Sequence, residues 1–211
     1  MVSTLKVNKI QIPNSDSDII SLDATTGNIA FNKPVTGTAM VKVADLDFAD
    51  GVTNCDVTST HINSTYDSYK IKFRFKPNTD NSDLRLLVFS GGSNPSGSIY
   101  CYAGAAQDGN AYISSNGQTY IRMANSNVGS DTGEGIMGEL QIYNVNNTFL
   151  SFAIQGFTNH FNTSGNHTAT SLTGGLIKTQ ASTVVNGLRF YWSSSGTFAG
   201  SGNNIKVYGI N

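Results

Sequence analysis

Between Tyr69 and Lys76 the chain alternates without a break: Tyr69, Ile71, Phe73 and Phe75 take one side, and Lys70, Lys72, Arg74 and Lys76 take the other. Period-2 alternation of this kind predicts a half-buried antiparallel strand with a wet outer face. Further strand patterns follow at intervals of ten to twenty residues: "DLRLLVFSG", "GSIYCYAG", "AYIS", "TYIRMA", "GELQIYNV", "TFLSFAIQG", "GLRFYW" and "NIKVYGI". Turn-rich segments such as "PNTDNSD", "GGSNPSGS" and "SSSGTFAGSG" separate them. No helical stripe of useful length appears. Many short strands joined by Gly- and Ser-rich connections predict an all-β fold, an antiparallel jelly-roll or β-sandwich over residues 40–211. In its last strand Ile205 and Val207 share one face, and Lys206, Tyr208 and Ile210 the other. Trp192 shares a face with Leu188 and Phe190, which predicts a core position.

Residues 1–39 read differently. "LKVNKIQI", "IISLD" and "NIAFN" are short, and polar turns divide them. Leu5, Val7, Ile10, Ile12, Ile29 and Phe31 alternate with polar neighbours, yet the zone is too small for a private core. A symmetric partner is the economical cover, so these six residues are the expected trimer interface of a short N-terminal β-stem. Packing of the stem on its own sandwich is the alternative.

Composition narrows the function. The chain has 211 residues, 13% of them charged, with a formal net charge of −1. This balance argues against a nucleic-acid-binding surface. No apolar run approaches the roughly 20 residues of a membrane-spanning helix, and the start "MVSTLKVNKI" lacks the apolar stretch of a secretory signal. Synthesis in a cytoplasm is expected. The two cysteines, Cys55 and Cys101, form no metal or redox motif. Cys101, on the face of Ile99 and Ala103, is expected as a buried free thiol, and a Cys55–Cys101 bridge stays open.

Candidate chemistry is sparse. Glu134 and Glu139 flank a glycine-rich turn and make a poor catalytic carboxylate pair. His160 and His167 fall in "NHFNTSGNHTATS", which reads as a polar loop without metal-ligand spacing. "DLDFADG", with Asp45, Asp47 and Asp50, reads as a turn leading into the sandwich rather than a calcium loop. No cofactor, metal or catalytic residue is expected. Sugar recognition needs aromatic faces beside amides and hydroxyls. The segment "IYCYAGAAQDGNAYISSNGQTY" offers Tyr100, Tyr102, Tyr112, Asn110 and Asn116 as candidate glycan contacts, with core packing of the tyrosines as the alternative.

The segment "STYDSYKIKFRFKPNTDNSDLRLLVFSGG" resembles the first half of a jelly-roll module of bacteriophage tail fibres and other virion appendages. Tyr66, Tyr69, Pro77, Thr79, Asp80, Leu84, Arg85, Leu86, Gly91 and Gly92 carry the likeness. The ending "GLRFYWSSSGTFAGSGNNIKVYGI" resembles the close of that module through Gly187, Arg189, Phe190, Gly196, Phe198, Tyr208, Gly209 and Ile210. "STLKVNKIQ…ISLDATTGNIAF" is similar to the opening of fibre proteins from marine and cyanobacterial phages. Residues 104–131 match least. The resemblance implies a non-enzymatic, homotrimeric virion protein, made in the host cytoplasm. Its N-terminus would bind other virion proteins. The matching motifs are structural and identify no ligand; host surface glycan is the expected partner of the head through the aromatic and amide residues named above. A capsid-decorating protein or head fibre without a host receptor is the alternative, and a polysaccharide-degrading tailspike is the rival from another class.

Overall fold

The computed structural model describes residues 9–11, 18–22, 29–31, 40–95, 97–106, 112–124, 127–148, 150–176 and 183–210. The chain divides into two compact units, Met1–Val41 and Lys42–Asn211. No α-helix occurs among the described residues, and the fold is all-β, with a sandwich of two antiparallel sheets.

The first unit holds a three-stranded antiparallel sheet of β1 (Lys9–Gln11), β2 (Asp18–Leu22) and β3 (Ile29–Phe31), in that order. Its register sets Ile10 opposite Ile20, Ile20 opposite Phe31, and Leu22 opposite Ile29. Directly paired residues share a face, and so do residues two apart on one strand. Of the expected interface positions, Ile10, Ile29 and Phe31 therefore fall on one face of this sheet. Leu5, Val7 and Ile12 lie outside the described residues.

In the second unit the larger sheet runs β4 (Val41–Phe48), β15 (Asn203–Ile210), β6 (Ser68–Phe75), β11 (Ile136–Tyr143), β12 (Ala153–Phe161), β13 (His167–Leu176), β8 (Tyr100–Ala106), β9 (Tyr112–Gln118). The smaller sheet runs β10 (Ile121–Arg122), β7 (Leu84–Phe89), β14 (Gly187–Trp192), β5 (Asn54–Val57). The strands thus divide eight and four, and the chain passes repeatedly from one sheet to the other. The alternation read in β6 is the core pattern: Tyr69 and Ile71 are fully buried, Phe73 and Phe75 nearly so, while Lys72 and Arg74 are exposed. The sheets meet through aromatic contacts. Phe190 of β14 lies 5.0 Å from Phe73 and 5.3 Å from Phe75, ring centre to ring centre. Such offset pairs add about 0.5–1.5 kcal/mol beyond the area they bury. Trp192 is buried beside Phe198, and Ile205 and Val207 are buried in β15.

Two local expectations are corrected. "DLDFADG" is not a turn through its length, because residues 45–48 belong to β4 and the turn comes at Asp50–Gly51. The aspartates sit in a strand because the Asn204 amide of β15 donates to Asp45 Oδ1 (2.8 Å), Leu46 O (3.2 Å) and Asp47 Oδ1 (2.9 Å). Cys101 is only half-buried, on the outward side of β8, while Cys55 is buried in the small sheet. Both thiols are free. Burial in apolar surroundings pushes the Cys55 thiol far above its ordinary range.

Two motifs that are distant in the chain meet. Where a Cβ on Gly209 would project, the Tyr66 ring already stands. Tyr66 meets Tyr69 edge to face at 5.6 Å. The Tyr69 hydroxyl accepts from Asn63 N–H (2.9 Å) and donates to Asn63 O (2.7 Å).

Candidate functional site

A cleft of about 480 Å³ opens at one end of the large sheet, where β6, β11, β12 and β13 reach two glycine-bearing loops, residues 133–135 and 199–203. That volume lies within the usual range for small-molecule sites. Both loops are fastened from within. Lys76 N–H donates to Asn203 Oδ1 (3.0 Å), and the Asn203 amide donates to Ala199 O (3.2 Å) and Gly200 O (3.0 Å). Ala199 N–H in turn donates to Lys76 O (2.8 Å). On the other side Phe161 N–H donates to Gly135 O (3.2 Å). Gly135 has φ +135°, and a Cβ there would lie 2.7 Å from Phe75 O, so only glycine lets this loop approach β6.

The lining draws on the outer face of the sheet at Arg74, Met137 and Asn159, on buried Phe75, Ile136 and His160, and on the two loops. In one cross-strand row Asn204, Arg74, Met137 and Asn159 lie side by side. In the hairpin beyond, Phe161 pairs with His167, their rings edge to face at 5.4 Å. Met137 is 60% exposed and Phe161 38%, large apolar surfaces left in water. Glu134 supplies the one carboxylate among the described lining residues. One of its oxygens accepts Asp131 N–H at 2.7 Å.

The two histidines are placed differently from the polar loop expected of them. They lie on β12 and β13 at either side of the hairpin turn. His167 is exposed, whereas His160 points inward at 1% exposure, on the inner face that also carries buried Thr158, Thr168 and Thr170. Burial holds the His160 imidazole down to about 4, and the neighbouring His167 and Arg122 charges push the same way. Glu139 faces neither the cleft nor Glu134's loop. It receives Lys70 (2.7 Å) and Lys72 (3.4 Å) on the outer face, and the Lys70 hydrogen bond is the first cause of its lowered pKa. Among the described residues no three His, Cys, Asp or Glu side chains gather as a metal site would require.

The expected glycan contacts are corrected in part. Tyr100 has no exposed surface, and its hydroxyl accepts Val88 N–H at 3.0 Å. Tyr102 is 8% exposed. Both rings pack inside the sandwich because even positions of β8 face inward, so neither offers a face to a sugar. Asn116 is exposed on β9, opposite Cys101. Tyr112 belongs to β9 in its backbone, and Asn110 lies outside the described residues. Sequence reasoning missed the cleft itself. Its signals were the cationic side of "KIKFRFK" and the glycines of "TGEGIMG" and "AGSGNN", which the fold brings together from distant parts of the chain.

The class defined by this geometry is an all-β sandwich protein with an open, loop-walled cleft at one end of its larger sheet. Comparison of the chain with protein-family models, with curated proteins and with solved structures finds no match in any of the three.

Proposed function

We propose that this protein is a non-enzymatic structural component of a bacteriophage virion, a homotrimeric tail fibre or similar appendage. A small N-terminal β-unit attaches it and joins the copies, and the sandwich is the displayed head, which meets host surface glycan. The observation that carries this reading is the division of the chain. A unit of about forty residues holds a three-stranded sheet with Ile10, Ile20, Leu22, Ile29 and Phe31 on one face. So few residues cannot enclose a core of their own, and identical copies about an axis supply the missing cover. The sandwich, by contrast, has a complete interior. The resemblance of the chain's two ends to phage fibre modules supports the virion setting.

Light scattering on the purified chain tests the assembly. A trimer is expected, and Phe31→Asp is expected to yield monomers whose sandwich still melts cooperatively. A monomeric parent chain overturns the trimer. Immunogold labelling of purified particles tests the setting. Label at the tail supports the fibre, label over the head supports the capsid-decorating alternative, and particles without label overturn the virion reading.

A further inference from the structure

The cleft holds cations that the fold leaves unmatched. Elsewhere in the sandwich the described cationic side chains have partners. Lys42 and Lys206 face Asp45, Lys70 and Lys72 face Glu139, Arg122 faces Asp83, Arg189 faces Asp56, and Arg85 lies over the Tyr120 ring. Among the described residues Arg74 and Lys76 have neither a carboxylate nor a ring. Both line the cleft, Arg74 within β6 and Lys76 just past the end of that strand. Glu134, the only acid among the described lining residues, already has one oxygen turned to its own loop. Beside the cations stand exposed Met137 and Phe161, with the Asn159 amide next to Met137 in the register.

An unmatched guanidinium offers a planar fork suited to a carboxylate or a sulfate. Two cations and one acid make a small positive pocket. They do not make the extended basic track that a polyphosphate backbone needs. An apolar ring and a thioether left in water, Phe161 and Met137, next to amide and imidazole groups suit a ligand with one C–H face and a rim of hydroxyls. We propose that this cleft binds an anionic saccharide, a sugar bearing a uronate or sulfate group, with the acid on Arg74 and Lys76 and the ring face on Phe161 and Met137. This names the site and ligand class for the glycan-binding half of the proposed function, and rests on that reading only for where the sugar comes from.

The test is calorimetric titration of the full-length chain with five probes: a glucuronate-containing tetrasaccharide, a sulfated tetrasaccharide, a neutral tetrasaccharide, triglutamate peptide and sodium sulfate. One or both acidic sugars are expected to bind at least tenfold tighter than the neutral sugar, the peptide or the bare ion. Whichever acidic sugar binds tighter identifies the acid group. Arg74→Ala and Phe161→Ala are each expected to weaken that binding at least tenfold, with thermal melts matching the parent. Arg74→Lys should recover part of the loss. Equal binding of the neutral sugar, equal binding of triglutamate, full binding by a folded Arg74→Ala, or no binding by any probe overturns the proposal. Labelling of particles separates it from the wider reading. Label on particles with no sugar binding sinks the site alone, and sugar binding with no label sinks the virion assignment alone.

Discussion

The two sheets of the sandwich differ in how completely they pair their charges. On the four-stranded sheet and its margin each described cation is matched. Arg189 meets Asp56 through two bonds of 2.8 and 2.7 Å, Arg122 meets Asp83 at 2.6 Å, and Arg85 lies 4.1 Å over the Tyr120 ring. On the eight-stranded sheet Glu139 holds two lysines and Asp45 faces two more, but among the described residues Arg74 and Lys76 stand unmatched at its end, and Met137, Phe157 and Phe161 keep large apolar surfaces in water. A surface whose charges are paired within the chain has little left to offer a partner. A surface with open cations beside exposed apolar side chains keeps groups free for a partner, and the sugar site proposed above lies on that half of the molecule.

The contrast can be broken from the shared interior outward. Phe190→Ala removes a fully buried ring that contacts Phe73 and Phe75 of the facing sheet. It is expected to cost about 3–5 kcal/mol in denaturant unfolding and to loosen both sheets together. Gly135→Ala tests the cleft loop alone. The strained φ and the crowding against Phe75 O should cost about 1–3 kcal/mol and disturb ligand binding, while the four-stranded sheet keeps its hydrogen-exchange protection.

His160, on the large sheet, adds a pH axis. The unfolded imidazole takes up a proton near its ordinary value of 6.5, and the folded one waits until about 4. Between those values the unfolded state binds more protons, so stability falls as pH drops through that window. His160→Gln should flatten melting temperature against pH between about 6.5 and 4, and an unchanged slope would refute the assignment. The smallest effect separates the two surfaces directly. Asp56→Ala should cost about 0.5–1 kcal/mol, because it strands Arg189. Arg74→Ala should stay within about 0.5 kcal/mol of the parent, because it breaks nothing. A larger loss for Arg74 than for Asp56 would invert the comparison.

Much of the sandwich was legible in the sequence, for a local reason. Burial in a strand follows period 2, so β6, β14 and β15 announced their inner faces through Tyr69, Phe190, Trp192 and Val207. β4 was misread because aspartates ordinarily mark turns, whereas here "DLDF" pairs with distant β15, Leu46 and Phe48 pack on the core, and Asn204 bonds Asp45 and Asp47. Tyr100 and Tyr102 were correctly placed on one side of β8, but the sequence does not say which side is inside. The cleft was invisible for a third reason: Arg74, Gly135, Phe161 and Asn203 share no local motif, and an unmatched charge is recognised only once the matched ones are seen.

Strand β15 enters the large sheet between β4 and β6, although β4 precedes β6 in the chain. Until residues 203–210 emerge from the ribosome, β4 lacks its one neighbour among the described strands and β6 presents a bare edge. The Tyr66 ring likewise waits for the backbone of Gly209. Closure of the sandwich is therefore a late, long-range event, of the kind that makes all-β domains slow to fold. During synthesis the edge of β6, with Lys70, Lys72 and Arg74 along it, is the one that must be kept from pairing with another nascent chain, and charge along an exposed strand does that.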